Sequence, residues 1–235
     1  MTRPDNKYTQ MEAEILDLAL MLHADHGGGN NSAFTVRAVS STDTDTYSCI
    51  AAAIGSLKGP KHGGANDEML TMMREIKANV ADWNDKAEIA EYLRKIMRKE
   101  AGDGKGLIYG LGHAVYTVSD PRAIILREKA EELSDTFGFE AEFALYENIA
   151  ELAPRVLREF KGADLEICTN VDFYSGFVYE MLGLPQELYT PIFAMSRIVG
   201  WCAHRIEEVA TGNKIMRPAY KSVVTKTEYV PMEDR

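Results

Sequence analysis

Eight stretches of the sequence place apolar residues at helical spacing, and glycine or proline separates most of them. The first, MEAEILDLALMLHADH, carries Ile15, Leu16 and Leu20 on such a pattern. A later stretch, SDPRAIILREKAEELSDTFG, opens with a Ser-Asp cap, has Pro121 in its first turn and ends at Gly138. Repeated along most of the chain, these signals predict an all-α fold.

The predicted helices leave only short connections between them. They lie within residues 11–26, 44–59, 64–80, 83–102, 119–138, 140–162, 172–183 and 191–212. Pro154 interrupts the sixth, which predicts a kinked or split helix. The glycine-rich residues 103–122 are partly β-like and could hold a short ribbon, and the last residues of the chain look like a loosely attached tail.

Composition excludes several classes of function. A 46% hydrophobic chain of 235 residues can build one or two domains. Its net charge of −10 disfavours nucleic acid and anionic membranes as partners. No apolar stretch is long enough for a membrane span, and the polar N-terminus has no signal-peptide core. Three widely spaced cysteines predict a reducing, cytoplasmic location without disulfides.

Three of the five histidines stand beside glycines, in HADHGGGN, GPKHGGAN and GLGHAV. Glycine lets a ligand approach the backbone closely, so the three motifs predict a pocket built from loops at helix ends. His204 lies within a helical stretch and is interpreted as structural. His23 and His26, with Asp25, could share a metal ion, but no HExxH or CxxC pattern accompanies them.

Several polar residues have two interpretations at this point. His62 precedes a helix, where it either caps that helix or serves as a neutral hydrogen-bond donor, because imidazolium is disfavoured there. Asp172 is either an N-cap or a functional carboxylate, and Arg122 is either a surface charge or a ligand group. Arg197 lies in a very apolar helix and needs a partner or an anion.

Six motifs, LHADHGGGNNSAFTVR, GSLKGPKHGGAN, GLGHAVYTVSDPR, NVDFYSG, SRIVGW and RPAYK, together resemble the citrate synthase family, in order over nearly the whole chain. The resemblance implies a multi-helical two-domain fold, truncated at the N-terminus because family members are much longer. Residues 1–63 and 184–235 would belong to the large domain, and residues 64–183 would form the small domain that closes over substrate.

The resemblance also implies roles for individual residues. His62 would bind the thioester oxygen of acetyl-CoA, Asp172 would take a proton from its methyl group, and His113 would polarise the ketone of oxaloacetate. The oxaloacetate-binding residues would be His26, Arg122, Arg197, Arg217, Phe193, Asn30 and Ser32, with Arg217 reaching the site of a partner subunit. The CoA-binding residues would be Leu107, Ile108, Tyr109, Gly110, Gly112 and Asn170.

The implied activity is condensation of acetyl-CoA with oxaloacetate and hydrolysis of citryl-CoA to citrate and CoA, the first step of the tricarboxylic acid cycle. Neither a metal nor a covalently bound cofactor is expected. The protein is expected to form a homodimer. Thr117 stands where some members have a CoA-phosphate arginine. The alternatives are a 2-methylcitrate synthase that uses propionyl-CoA, an inactive fragment that serves assembly or interaction, and a metallohydrolase. Activity of the isolated chain is expected to be weak or absent.

Overall fold

The chain is helical throughout the part that a computed structural model describes, which is residues 4–113, 115–212, 214–219, 221 and 223–235. Within these residues there are nine α-helices and no named β-strand. The helices are α1 (Gln10–His23), α2 (Asn31–Ser40), α3 (Thr46–Leu57), α4 (Ala65–Asn79), α5 (Lys86–Met97), α6 (Pro121–Phe137), α7 (Glu140–Lys161), α8 (Val171–Met181) and α9 (Tyr189–Thr211). No helix of the described part is both long and apolar enough to cross a membrane.

Side-chain caps fix many of the helix ends. Thr9 and Glu12 form a reciprocal capping box at the start of α1. Helix α6 has Asp120 as its N-cap, Pro121 at its first turn and Gly138 in the left-handed region with a φ of 80°. The start and stop residues of α6 are those that the sequence predicts, and the all-α class is confirmed.

Four details differ from the sequence-based expectation. Helix α2 was not predicted, and α5 ends before Gly102 because Lys99 takes a φ of 65°. Helix α7 continues through Pro154 as one element, so the split alternative is wrong and the kinked one stays a prediction. Residues 103–122 form no ribbon among the residues described. A single isolated antiparallel bridge joins Leu111 to Thr169.

Two clusters of buried apolar side chains hold the helices together. The larger cluster combines side chains of α1 and α4–α8, and Ile15 and Ala19 are the fully buried contributions of α1. The smaller cluster joins α2 and α3 to α9 around Trp201. Helix α9 contributes to both clusters, through Tyr189 and Trp201 respectively. The domain boundaries after residues 63 and 183 stay a prediction.

Helix α9 packs tightly against the C-terminal end of α1. The backbone N–H of Gly200 donates to the carbonyl of Ala24 at 3.1 Å, and Ser196 Oγ donates to the carbonyl of Leu20. A Cβ atom at Gly200 would lie 2.8 Å from Asp25 Oδ1 and closer still to the oxygen of Ala24. Only glycine allows this approach, which fixes the turn that follows α1.

Candidate active site

One cavity of about 930 Å³ opens where the loops at several helix ends meet. Its walls come from the turn after α1, the turn between α3 and α4, the segment before α6, the start of α8, and α9. Ten of the residues singled out from the sequence line it. They are His26, Asn30, His62, Gly112, His113, Arg122, Asn170, Asp172, Phe193 and Arg197.

The turn that carries His62 needs its glycines for close backbone approach. Gly63 N–H donates to the carbonyl of Leu57 at 2.8 Å, and Gly64 N–H donates to that of Gly59 at 3.2 Å. A Cβ atom at Gly63 would lie 2.8 Å from the oxygen of Leu57, and one at Gly64 would lie 2.9 Å from Cα of Pro60. Larger residues would open this turn and displace His62 from the cavity wall.

The ring of His62 faces α2 and does not cap α4. Its Nε2 lies 3.0 Å from Ser32 Oγ and 3.2 Å from Asn30 Oδ1. Asn30 is the N-cap of α2, and Trp201 Nε1 donates to Ser32 Oγ at 3.1 Å. The capping alternative for His62 is therefore wrong, since Gly64 is the N-cap of α4 and no side chain caps that helix.

His113 is held beside α8 by a short pairing of two segments. Gly112 N–H donates to the carbonyl of Cys168 at 2.8 Å, Asn170 N–H donates to that of Gly110 at 2.9 Å, and Asn170 Nδ2 donates to that of Gly112 at 3.0 Å. His113 Nδ1 accepts from the backbone N–H groups of Val115 and Tyr116 at 3.0 and 3.1 Å. Because Nδ1 accepts, the proton of the neutral ring is on Nε2.

Asp172 lies in the first turn of α8, but Asn170 is the N-cap and accepts from the N–H of Asp172 at 3.0 Å. The N-cap alternative for Asp172 is therefore wrong. Asp172 lies on the cavity wall as a half-buried residue. Burial raises the pKa of Asp172 to about 6, against a smaller opposing effect of Arg122. A carboxylate with such a pKa can act as a base near neutral pH.

The cavity histidines are neutral at physiological pH. Burial, followed by the charge of Arg122, lowers the pKa of His26 to about 4. Burial, followed by the charge of Arg197, lowers the pKa of His62 to about 4. The pKa of His113 is also lowered, by burial and then by Arg122. Neutral imidazoles can donate to a carbonyl oxygen while the two nearby arginines attract an anion.

The two cavity arginines are held in different ways. Arg197 is almost fully buried, donates from Nε to the carbonyl of His23, and has an Nη1 atom with no hydrogen-bond partner. Burial lowers its pKa to about 10. Arg122 makes a bidentate ion pair with buried Asp120, at 3.0 and 2.8 Å. A buried guanidinium with an unpaired N–H, on a residue that lines the cavity, is suited to a carboxylate ligand.

The remaining residues singled out from the sequence lie outside the cavity wall. Ser32 is buried beneath His62, and Arg217 is exposed. Leu107, Ile108, Tyr109 and Gly110 belong to the segment that leads to Gly112, and Leu107 is exposed. In the motifs GLGHAV and RPAYK, Ala114 and Tyr220 are outside the described residues.

Three residues make supporting contacts that were not predicted from the sequence, where His23 was considered only as a metal ligand. His23 is buried, packs its ring 4.5 Å from that of Phe193, and has a pKa lowered to about 3 by burial. Asp120 was predicted only as a cap, although it also binds Arg122. Trp201 holds Ser32. The contacts of His23 and Trp201 join distant segments and have no spacing rule. Asp120 and Arg122 are only two residues apart, but the sequence showed the capping role of Asp120 and not the ion pair.

The arrangement combines a base, three neutral donors and two cations in one cavity. It can therefore bind a dianionic ligand, remove a weakly acidic proton and stabilise the negative charge that develops on oxygen. In the described part of the chain, no group of three or more histidine, cysteine, aspartate or glutamate side chains is arranged to hold a metal ion.

Comparison with known proteins gives the same family from sequence and from structure. The protein-family model for the C-terminal domain of citrate synthase matches residues 1–219 of the sequence. Citrate synthase from Deinococcus radiodurans is 43% identical over 231 residues, which are 98% of this chain and 56% of that protein. A 2-methylcitrate synthase from Shewanella oneidensis is 35% identical over 227 residues, which are 96% of this chain and 54% of that protein.

A solved structure has the same fold. It is the ternary complex of carboxymethyl coenzyme A and oxaloacetate with citrate synthase from Thermoplasma acidophilum. It superimposes with a TM-score of 0.77 at 31% identity, over 98% of this chain and 57% of that one. The chain thus spans little more than half the length of the relatives it matches. Helical architecture, cavity residues and sequence likeness agree, and the chain belongs to the citrate synthase family.

Proposed function

We propose that the cavity is the condensation site of a citrate synthase, in which acetyl-CoA and oxaloacetate give citryl-CoA and then citrate and CoA. The observation that carries the proposal is the position of Asp172 in one cavity with three neutral histidines and two arginines. The family supports the reaction type. The substrates are inferred from the chemistry of the cavity and from those relatives.

Asp172 would remove a proton from the methyl group of acetyl-CoA. Such a methyl is a very weak acid, so a donor must stabilise the oxygen of the enol at the same time. His62 can supply that donor from Nδ1, provided that its Nε2 accepts a hydrogen bond. The single proton of Ser32 Oγ can go to His62 Nε2 at 3.0 Å or to Asn30 Oδ1 at 2.7 Å, and Trp201 Nε1 donates to the same hydroxyl oxygen at 3.1 Å. The required tautomer of His62 therefore needs the Ser32 proton to be donated to His62 Nε2 rather than to Asn30 Oδ1.

His113 would donate from Nε2 to the ketone oxygen of oxaloacetate. Its tautomer is already fixed by the two backbone donors to Nδ1. Attack of the enol carbon on this ketone forms the new carbon–carbon bond and leaves an alkoxide that the His113 donor stabilises. Arg197, Arg122 and His26 would hold the two carboxylates. Water then cleaves the thioester of citryl-CoA and releases CoA and citrate.

CoA would lie along the segment 107–112 and Asn170, of which Gly112 and Asn170 line the cavity. Gly106, Gly110 and Gly112 all have positive φ and carry no Cβ, so a ligand can approach the backbone of this segment closely. The N–H of Gly112 and the carbonyls of Gly110 and Gly112 already have partners within the protein. Arg217 is exposed and separate from the cavity, which fits a role in the site of a partner subunit. A homodimer in the cytoplasm is part of the proposal.

A second substrate, propionyl-CoA, is supported by the likeness to 2-methylcitrate synthase. The same base and donors serve both thioesters, which differ by one methylene. A hydrophobic pocket discriminates one methylene by roughly 10–200-fold. Initial rates of thiol release with the two acyl-CoAs, measured on one preparation, decide between them.

The test of the proposal measures binding and turnover on the same 235-residue protein. Calorimetric titration with oxaloacetate reports on the arginines and His113, and thiol release reports on Asp172. We expect oxaloacetate to bind and turnover to be weak. The chain spans little more than half the length of its relatives, and a misplacement of the reacting groups by about 1 Å can cost about 10²-fold in rate. Asp172→Asn should lower any turnover by about 10²–10⁴-fold and leave oxaloacetate affinity within about twofold.

Asp135→Asn is the matched control, because Asp135 is an exposed carboxylate on α6 outside the cavity. It should change neither binding nor turnover. Near-normal turnover by the Asp172 variant would contradict its role as base. A folded chain that neither binds oxaloacetate nor releases thiol would favour the interaction-fragment alternative.

A further inference from the structure

Tyr116 contacts three of the proposed oxaloacetate-binding side chains without lining the cavity itself. Its ring stacks on that of His113, with the centroids 5.0 Å apart and the planes at 30°. The ring of His26 lies 5.9 Å away at 48°. The guanidinium carbon of Arg122 lies 5.3 Å from the centroid of the Tyr116 ring. The side chain is half-buried beneath these groups.

These ring contacts define orientations that hydrogen bonds leave open. The two backbone donors to His113 fix its tautomer, but a ring held at one nitrogen can still rotate about that contact. A stacked neighbour restricts the plane of the ring. Arg122 is held on one side by Asp120, and the face of Tyr116 attracts the same cation from another direction.

The backbone and the side chain of Tyr116 have separate contacts. Its N–H donates to His113 Nδ1 at 3.1 Å, and its carbonyl accepts from Cys168 Sγ at 3.5 Å. A substitution of the side chain therefore removes the ring and keeps the backbone donor. The two contributions to the position of His113 can be measured apart.

We propose that Tyr116 is a positioning residue whose ring sets the orientation of His113, His26 and Arg122 for a dicarboxylate. This inference rests on the proposed function for the identity of the ligand. The contact that matters is the aromatic ring. The hydroxyl group has no assigned part, so phenylalanine should replace tyrosine and leucine should not.

Binding is the first test, with oxaloacetate as the probe in calorimetric titration of the 235-residue protein. Tyr116→Leu should weaken binding by about tenfold or more, because three ligand groups lose a common support. Tyr116→Phe should stay within about twofold of the wild type. Tyr92→Leu is the matched control, since Tyr92 is a half-buried tyrosine of α5 outside the cavity. It should leave oxaloacetate affinity unchanged.

A second readout needs no ligand. In the protein with labelled histidine, the ring current of Tyr116 displaces the carbon-bound proton resonances of His113. We expect this displacement to persist in Tyr116→Phe and to disappear in Tyr116→Leu, while the Tyr92 variant keeps it. Circular dichroism at 222 nm confirms that each variant is folded.

Unchanged His113 resonances together with unchanged oxaloacetate affinity in Tyr116→Leu would overturn the proposal. Equal losses in the Phe and Leu variants would also overturn it, because the hydroxyl group and not the ring would then be responsible. Failure of the wild type to bind oxaloacetate would contradict the proposed function instead. In that case the resonances of His113 alone decide whether Tyr116 orients that ring.

Discussion

Replacement of Gly200 by alanine tests the packing that positions the turn after α1. The new Cβ atom would meet the carbonyl oxygen of Ala24 and lie 2.8 Å from Asp25 Oδ1. The first of these atoms is backbone, and it already accepts the N–H of Gly200 at 3.1 Å. Relief of the clash requires α9 to move away from α1, or the turn that leads to His26 to shift.

The magnitude follows from two opposing effects. Glycine to alanine in an unobstructed helix stabilises a protein by about 1 kcal/mol. Overpacking of a tight contact costs about 1–3 kcal/mol and more where backbone must shift. We therefore expect Gly200→Ala to lower the free energy of unfolding by about 1–2 kcal/mol net. Gly55 in α3 is the matched control, because a Cβ atom there meets nothing within 4 Å.

Urea unfolding followed by circular dichroism measures both variants, with the oligomeric state of each checked by sedimentation. Gly55→Ala should unfold at the same or a higher urea concentration than the wild type, and Gly200→Ala at a lower one. The Gly200 variant should also bind oxaloacetate more weakly, since His26 follows the displaced turn. Equal stabilisation by the two substitutions would show that α9 does not press on α1 as described.

Two further predictions concern charged side chains. The raised pKa of Asp172 means that the folded state favours the protonated carboxyl group. The contribution of that protonated group to stability is complete below the ordinary pKa of 3.8 and is lost as the pH rises through about 6. Asp172→Asn should therefore be more stable than the wild type at pH 8, by about 1–3 kcal/mol, and equal to it near pH 3.5. If the urea midpoints of variant and wild type differed by the same amount at both pH values, this prediction would be contradicted. Arg205 donates to the carbonyl of Thr44 at 2.8 Å and to Thr46 Oγ1 at 3.0 Å, which ties α9 to the turn between α2 and α3. Arg205→Leu should lower the free energy of unfolding, measured in urea, by about 1–3 kcal/mol. The control Arg155→Leu removes an exposed ion pair with Glu151 and should lower it by less than about 0.5 kcal/mol. Similar losses in the two variants would refute the role of Arg205.

Helices with strong local signals could be predicted from the sequence. Asp120, Pro121 and Gly138 bound α6 in the structure as in the sequence, since capping depends on residues adjacent in the chain. Helix α2 was missed because its ten residues are rich in serine, threonine and asparagine, which have low helix propensity. Its stability comes from the Asn30 cap and from the packing of buried Ala33 and Val36.

The cavity was predictable in its parts and not in its contacts. Glycines beside His26, His62 and His113 indicated loops at a pocket, and all three line the cavity. The bidentate pair of Asp120 with Arg122 and the support of Ser32 by Trp201 could not be predicted. The Trp201–Ser32 contact joins residues 169 positions apart, where spacing carries no information. The Asp120–Arg122 pair joins residues two apart and depends on the side-chain conformation of Arg122, which the sequence does not show.

The contacts between α9 and the end of α1 have a consequence for folding order. Arg197 and the carbonyl of His23 are 174 positions apart in the chain, and Ser196 and Leu20 are 176 apart. Closing so long a loop costs conformational entropy before any contact is gained, so such pairs form late. In a refolding experiment the far-UV circular dichroism should therefore recover first. Capacity to bind a dicarboxylate should return only in the slowest phase, when Arg197 reaches the turn at His26.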